Sequence, residues 1–221
     1  ITIAEDGTVS GGDRTYGGGN IYMEQGQLNI QEGTTIADGT TRFANGGNLY
    51  VDVGAVNMTG GVISGGDSIT NNKNASGDYK CGGNVALQSA AIFNISSGTV
   101  TGGTAHEGGN IRVGHTSTLN ISGNALIEKG SAANGGNINS YGMVNMSGGQ
   151  IADGTASSNG GNVQCFRSTS KTNDGVFTMT GGTIEGGVGS SAGGCVYIYP
   201  GSTFNLAGGT IKGGKAMNGG N

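Results

Sequence analysis

The sequence predicts an all-β fold, a right-handed parallel β-helix (β-solenoid) with three short strands per coil and about seven to eight coils. Three observations predict it. Gly-Gly-Asn followed by an aliphatic residue recurs at Gly18-Gly19-Asn20-Ile21, Gly46-Gly47-Asn48-Leu49, Gly82-Gly83-Asn84-Val85, Gly108-Gly109-Asn110-Ile111, Gly135-Gly136-Asn137-Ile138 and Gly160-Gly161-Asn162-Val163, with a variant at Gly193-Gly194-Cys195-Val196 and a last opening at Asn221. The intervals of 28, 36, 26, 27, 25, 33 and 26 residues fall in the solenoid range. Within each interval the apolar residues form three clusters spaced two apart, and glycine pairs separate the clusters.

Taken in order, residues 1–19 form the back half of a repeat, with Ile1, Ile3 and Val9 as its apolar positions. The first full coil follows with Ile21 and Met23, Leu28 and Ile30, and Ile36. The next has Leu49 and Val51, Val56 and Met58, and Ile63; then Val85 and Leu87, Phe93 and Ile95, and Val100. Later coils give Ile111, Val113, Leu119, Ile121 and Ile127; Ile138, Val144, Met146 and Ile151; Val163, Cys165, Phe177, Met179 and Ile184; and Val196, Ile198, Phe204, Leu206 and Ile211. Alternation at i and i+2 turns each pair toward one face of a strand, so three inward-facing strands describe a triangular coil. Helix is excluded by the period of two and by the density of glycine. Residues 1–221 form a single solenoid segment with polar insertions at 67–80 and 167–174. A start at Ile1 and an end at the opening of a repeat imply a piece cut from a longer chain.

With 50 glycines in 221 residues, composition alone suggests disorder, and the fixed offsets of the apolar residues overrule it. A net charge of -4 with 11% charged residues supplies no basic stripe for nucleic acid or anionic lipid, and no apolar run is long enough to insert into a membrane. Stacking in register offsets Cys165 from Cys195 by three residues, roughly 10 Å, so the cysteines read as buried free thiols. There is no metal-ligand spacing and no cofactor motif; the glycine pairs lack the Gly-Lys-Ser/Thr of a phosphate loop.

The repeats, with segments such as Val144-Asn145-Met146-Ser147-Gly148-Gly149-Gln150-Ile151 and Phe177-Thr178-Met179-Thr180-Gly181-Gly182-Thr183-Ile184, resemble right-handed parallel β-helix repeats of bacterial surface proteins. They are similar to those of polymorphic outer membrane proteins and autotransporter-type adhesins. The resemblance implies an extracellular or cell-surface passenger or stalk.

Two asparagine columns follow from the register. Asn20, Asn48, Asn84, Asn110, Asn137, Asn162 and Asn221 form a structural amide ladder, interrupted by Cys195. Asn29, Asn57, Asn94, Asn120, Asn145 and Asn205 point outward; Asn57, Asn94, Asn120 and Asn145, with Asn74 in the first insertion, sit in glycosylation sequons that matter only in a eukaryotic secretory context. On the first strand the outward positions stack Tyr22 on Tyr50 and Glu24 on Asp52, and Arg112, Tyr141, Phe166, Tyr197 and Tyr199 occupy similar sites. Aromatics beside carboxylates and amides suit sugar rings, and two stacked carboxylates are the minimum for a glycosidase. The coil after Asp52 offers only Ala86 and Gln88, so the acid pair reads as a solvated edge. His106 and His115 read as solitary surface residues. A threonine row on the third strand (Thr8, Thr35, Thr99, Thr183, Thr210) suggests ice binding, but its companion row carries Glu128, Glu185 and Lys212.

The function expected is therefore a non-enzymatic extracellular structural or adhesive stalk or fibre segment that presents a surface to glycans or surface proteins. The alternatives are a carbohydrate-active β-helix enzyme, a filament body formed by end-to-end self-association, and an ice-binding solenoid.

Overall fold

The structure is a computed structural model and describes every residue except 1, 4–5, 16, 43–44, 69–80 and 168–174. It is all-β, and every strand pairing among the described residues is parallel, as a solenoid requires. The first strands of successive coils, from Ile21–Met23 to Val196–Ile198, form one seven-stranded sheet whose register keeps each Gly-Gly-Asn above the next. Second and third strands share a fourteen-stranded sheet, because Gly54–Ser64 and Ala91–Thr101 run continuously through the corner between them. The register slips near Ser97 to make that turn.

The inward residues are those marked by the alternation. Leu28, Val56, Phe93, Leu119, Val144 and Phe177 make one column, and Ile36, Ile63, Val100, Ile127, Ile151 and Ile184 another, all at most 1% exposed. Such columns are continuous along the axis, so each coil buries its apolar face against its neighbours and none is stable alone. At one first-strand position a hydroxyl replaces the aliphatic: Ser140 is fully buried and donates to the Gly142 carbonyl at 3.2 Å.

A fourth short ladder adds to the three strands. Asp13–Arg14, Thr40–Thr41 and Asp67–Ser68 pair with one another, as do Ser131–Asn134, Thr155–Asn159 and Val188–Gly189, and Thr104 bridges the two groups. Its inward residues are small or hydroxylic (Thr41, Ser68, Ala105, Ala132, Ala156), so it carries no aliphatic alternation. This also corrects the boundary of the first insertion. Asp67 and Ser68 belong to the stack, while 69–80, including Asn74, and 168–174 lie outside the described residues.

Corners rest on glycine for two reasons. After each third strand one residue turns left-handed: Gly65, Gly102 and Gly186 do so without strain, whereas Asp38, Lys129 and Asp153 sit at φ of 56°, 55° and 53°. The next residue is always glycine because backbone approaches it; a Cβ at Gly103 would lie 2.2 Å from the Gly109 carbonyl oxygen.

The inner amide ladder fills the space these corners leave. Asn110 is fully buried, and its Oδ1 accepts from the Gly103 N–H at 2.9 Å and from Asn84 Nδ2 at 2.7 Å. Its Nδ2 donates to the Glu128 carbonyl and to Asn137 Oδ1, both at 2.7 Å. Asn48, Asn84 and Asn137 repeat this fourfold pattern, Asn20 opens it, and Asn221 accepts from the Gly214 N–H at 2.9 Å. The outward ladder runs the opposite way. Asn57, Asn94, Asn120 and Asn145 each donate Nδ2 to the preceding coil's amide at 2.8 to 3.0 Å, and Thr178 interrupts the run before Asn205.

Candidate functional site

Two columns of side chains cover the outer face of the seven-stranded sheet. Mid-strand register stacks Tyr22, Tyr50, Ala86, Arg112, Asn139, Gln164 and Tyr197. The residue just after each strand stacks Glu24, Asp52, Gln88, Gly114, Tyr141, Phe166 and Tyr199, joined by backbone bonds such as Asp52 N–H to the Met23 carbonyl and Tyr199 N–H to the Cys165 carbonyl. All nine outward residues singled out in the sequence are thus on one face, but they fall into two groups.

The first group lies in the first two coils. Tyr22 and Tyr50 stack with centroids 5.4 Å apart and planes 17° from parallel, and Tyr22 is 51% exposed. Burial, then the Asp52 carboxylate, pushes the Tyr50 phenol above its ordinary pKa, while the Arg112 guanidinium two coils on opposes this. The charge of Arg112 therefore reaches over Ala86 as far as Tyr50.

The second group is denser. His115 packs against Tyr141 with centroids 5.0 Å apart, Tyr141 against Phe166 at 5.1 Å, and Phe166 against Tyr199 at 4.3 Å. His115 is consequently half-buried in an aromatic column, which corrects its reading as a solitary surface residue. Arg112 sits 5.1 Å over the Tyr141 ring and donates Nη1 to Gln88 Oε1 at 2.9 Å. Tyr141 donates its hydroxyl to Glu107 Oε2 at 2.7 Å, and the Cys81 thiol donates to the same oxygen at 3.3 Å. Burial chiefly, with the Glu107 charge added, drives the Tyr141 phenol far above its ordinary pKa, so it remains a neutral donor. Since Tyr141 follows its strand and Glu107 precedes the first strand one coil back, the tyrosine crosses the width of the face.

On this face several buried polar atoms have no hydrogen-bond partner among the described residues: Arg112 Nε, both amide atoms of Asn139, and Gln164 Oε1. Asn139 is 1% and Gln164 3% exposed. Glu107, Asn139 and Gln164 were not picked out from the sequence. A usable signal existed, because aligning the repeats puts Asn139 and Gln164 in the tyrosine column and Glu107 directly before its Gly-Gly-Asn.

The other faces are plainer. A groove of about 470 Å³ runs along the fourth ladder between Thr104, Ser131, Thr155, His106 and Ser190. Another of about 450 Å³ crosses the third strands, where Gln150 donates to Glu185 and Lys212 pairs with Glu185 at 3.0 Å. Thr183 and Thr210 are in register there, but Leu126 and Gln150 share their row and this charged network crosses it. Cys81, Cys165 and Cys195 are buried and form no disulfide among the described residues, and burial pushes the Cys165 thiol up to about 12. Among the described residues no three His, Cys, Asp or Glu side chains cluster as metal ligands, and no helix is long and apolar enough to cross a membrane. Comparison with protein-family models, with curated proteins and with solved structures yields no match.

Proposed function

We propose that this chain is a non-enzymatic, extracellular structural and adhesive stalk or fibre segment whose outer first-strand face meets glycans or surface proteins. The observation that carries this reading is the in-register aromatic surface of that face, from Tyr22 and Tyr50 through Tyr141, Phe166 and Tyr199. Aromatic rings with polar handles supply apolar area and directional bonds together, which suits recognition of amphipathic partners. The described chain resumes at Cys81 ahead of the third coil's first strand and runs to Arg167 just past the sixth coil's, both at the margins of this face. Binding on a glycan array and to surface-protein extracts, compared between the parent and Tyr22→Ala/Tyr50→Ala, tests the reading. Binding that falls in the variant, with glycans intact, supports it; cleaved glycans would instead mark Glu24 and Asp52 as a catalytic pair.

A further inference from the structure

The inner ladder satisfies all four hydrogen-bonding positions of a buried amide, coil after coil. On the outer face of the same strands the opposite holds. Arg112, Asn139 and Gln164, on three consecutive coils of one column, each bury a polar atom that no described residue meets. Natural proteins leave few such atoms, and each one asks for a partner that the described residues do not supply. Here the unmet set is specific: a guanidinium N–H, an amide offering both donor and acceptor, and a second amide acceptor about one strand spacing farther on.

We propose that this patch, in the fourth to sixth coils, is a subsite for an acidic saccharide. Arg112 takes a carboxylate of the sugar, Asn139 and Gln164 take ring hydroxyls, and Phe166 and Tyr199 stack on its apolar face. The inference rests on the adhesive reading above and narrows it to a ligand class and a location. Arg112 suits the role because it makes no ion pair among the described residues: Gln88 and the Tyr141 ring orient it and leave Nε uncommitted. Hydroxyls both donate and accept, as the Asn139 amide requires. Tyr141 is fixed by Glu107, whereas Phe166 is half-buried and Tyr199 is 37% exposed, and the proposed subsite requires these two rings to turn aside so that the sugar reaches the amides.

The test is isothermal titration with a panel of uronic-acid and sialic-acid saccharides and their neutral counterparts, run on the whole chain and on Asn139→Leu/Gln164→Leu, Arg112→Met and Tyr22→Ala/Tyr50→Ala, with a melting curve for each. We expect acidic members to bind the parent, affinity to fall about tenfold or more in Asn139→Leu/Gln164→Leu, and Arg112→Met to erase the preference for acidic over neutral sugars. The double leucine variant should melt no lower than the parent, since it removes groups that have no partner. Absence of binding by any panel member overturns the proposal, and so does undiminished binding by the leucine variant. A lower melting temperature in that variant would show the amides held by interior water, and overturns it too. Binding lost in Tyr22→Ala/Tyr50→Ala but kept in the leucine variant would leave the adhesive surface standing and remove this site from it.

Discussion

Asn162 meets Cys195 at 3.9 Å, amide nitrogen to sulfur, where the five preceding rungs of the ladder are amide-to-amide bonds of 2.7 or 2.8 Å. The thiol keeps the ladder's other contacts in kind, since it lies 3.3 Å from the Lys212 carbonyl. Cys195→Asn should therefore restore a full rung between Asn162 and Asn221. The expected gain is about 1 to 2 kcal/mol, at roughly 1 kcal/mol net per good hydrogen bond recovered. A rise in the urea midpoint at unchanged slope would register it; a fall would show the site too tight for an amide.

Removing an amide from mid-ladder should do the reverse and do it severely. Asn110→Ala strands the Gly103 N–H and half of two neighbouring amides in a buried space, and leaves the Glu128 carbonyl only the Gly102 N–H at 3.3 Å. At about 1 to 3 kcal/mol for each unsatisfied group, the loss should exceed about 4 kcal/mol. The same substitution at Asn145 breaks only an exposed rung and should cost about 1 kcal/mol or less. Chemical denaturation of the two variants side by side checks the contrast.

Lys129 holds a left-handed conformation that its counterparts at Gly102 and Gly186 adopt freely. A side chain there costs roughly 1–2 kcal/mol, and glycine returns roughly 0.5–1 of it as unfolded-state entropy. Lys129→Gly should thus stabilise by about 0.5 to 1 kcal/mol, despite losing an exposed ion pair with Glu128. A melting curve decides it.

Asp67 stands in the fourth ladder between Thr40 and Thr104, where burial raises its pKa. A carboxyl raised on folding favours the native state while protonated and loses that contribution as pH climbs through the folded value. Asp67→Thr should then melt higher than the parent at neutral pH, and the gap should close in acid below the ordinary aspartate range. A gap independent of pH would assign the effect to packing.

The Cys165 thiol, fully buried and raised to about 12, is almost entirely protonated at neutral pH. A chromogenic disulfide reagent should leave it unmodified in the native protein and react once denaturant is added; peptide mapping after each step identifies the residue.

The apolar columns and the inner ladder were legible because burial in a solenoid writes itself as a period, with the same residue type at the same offset in each repeat. The fourth ladder was not, since alanine, serine and threonine at Ala105, Ser68 and Thr41 fill its interior and give no aliphatic alternation. The outer face was half legible. Tyr22, Tyr50 and Arg112 stand out by type and are seen; Asn139 and Gln164 resemble ordinary surface amides, so only their place in the aligned column marks them. Likewise the reach of Tyr141 to Glu107 depends on side-chain direction, which spacing along a strand does not encode.

Because every strand is bonded only to its equivalents in the coils above and below, a pull along the axis loads those bonds lengthwise and at one boundary at a time. Such an object yields by peeling, not by shear. Each event should release one coil, 25 to 36 residues of slack by the repeat intervals, at forces graded by the quality of that rung. The sulfur rung at Cys195 marks the place where the grading dips, and the solenoid under tension would give there and re-wind onto an intact template instead of losing its whole length at once.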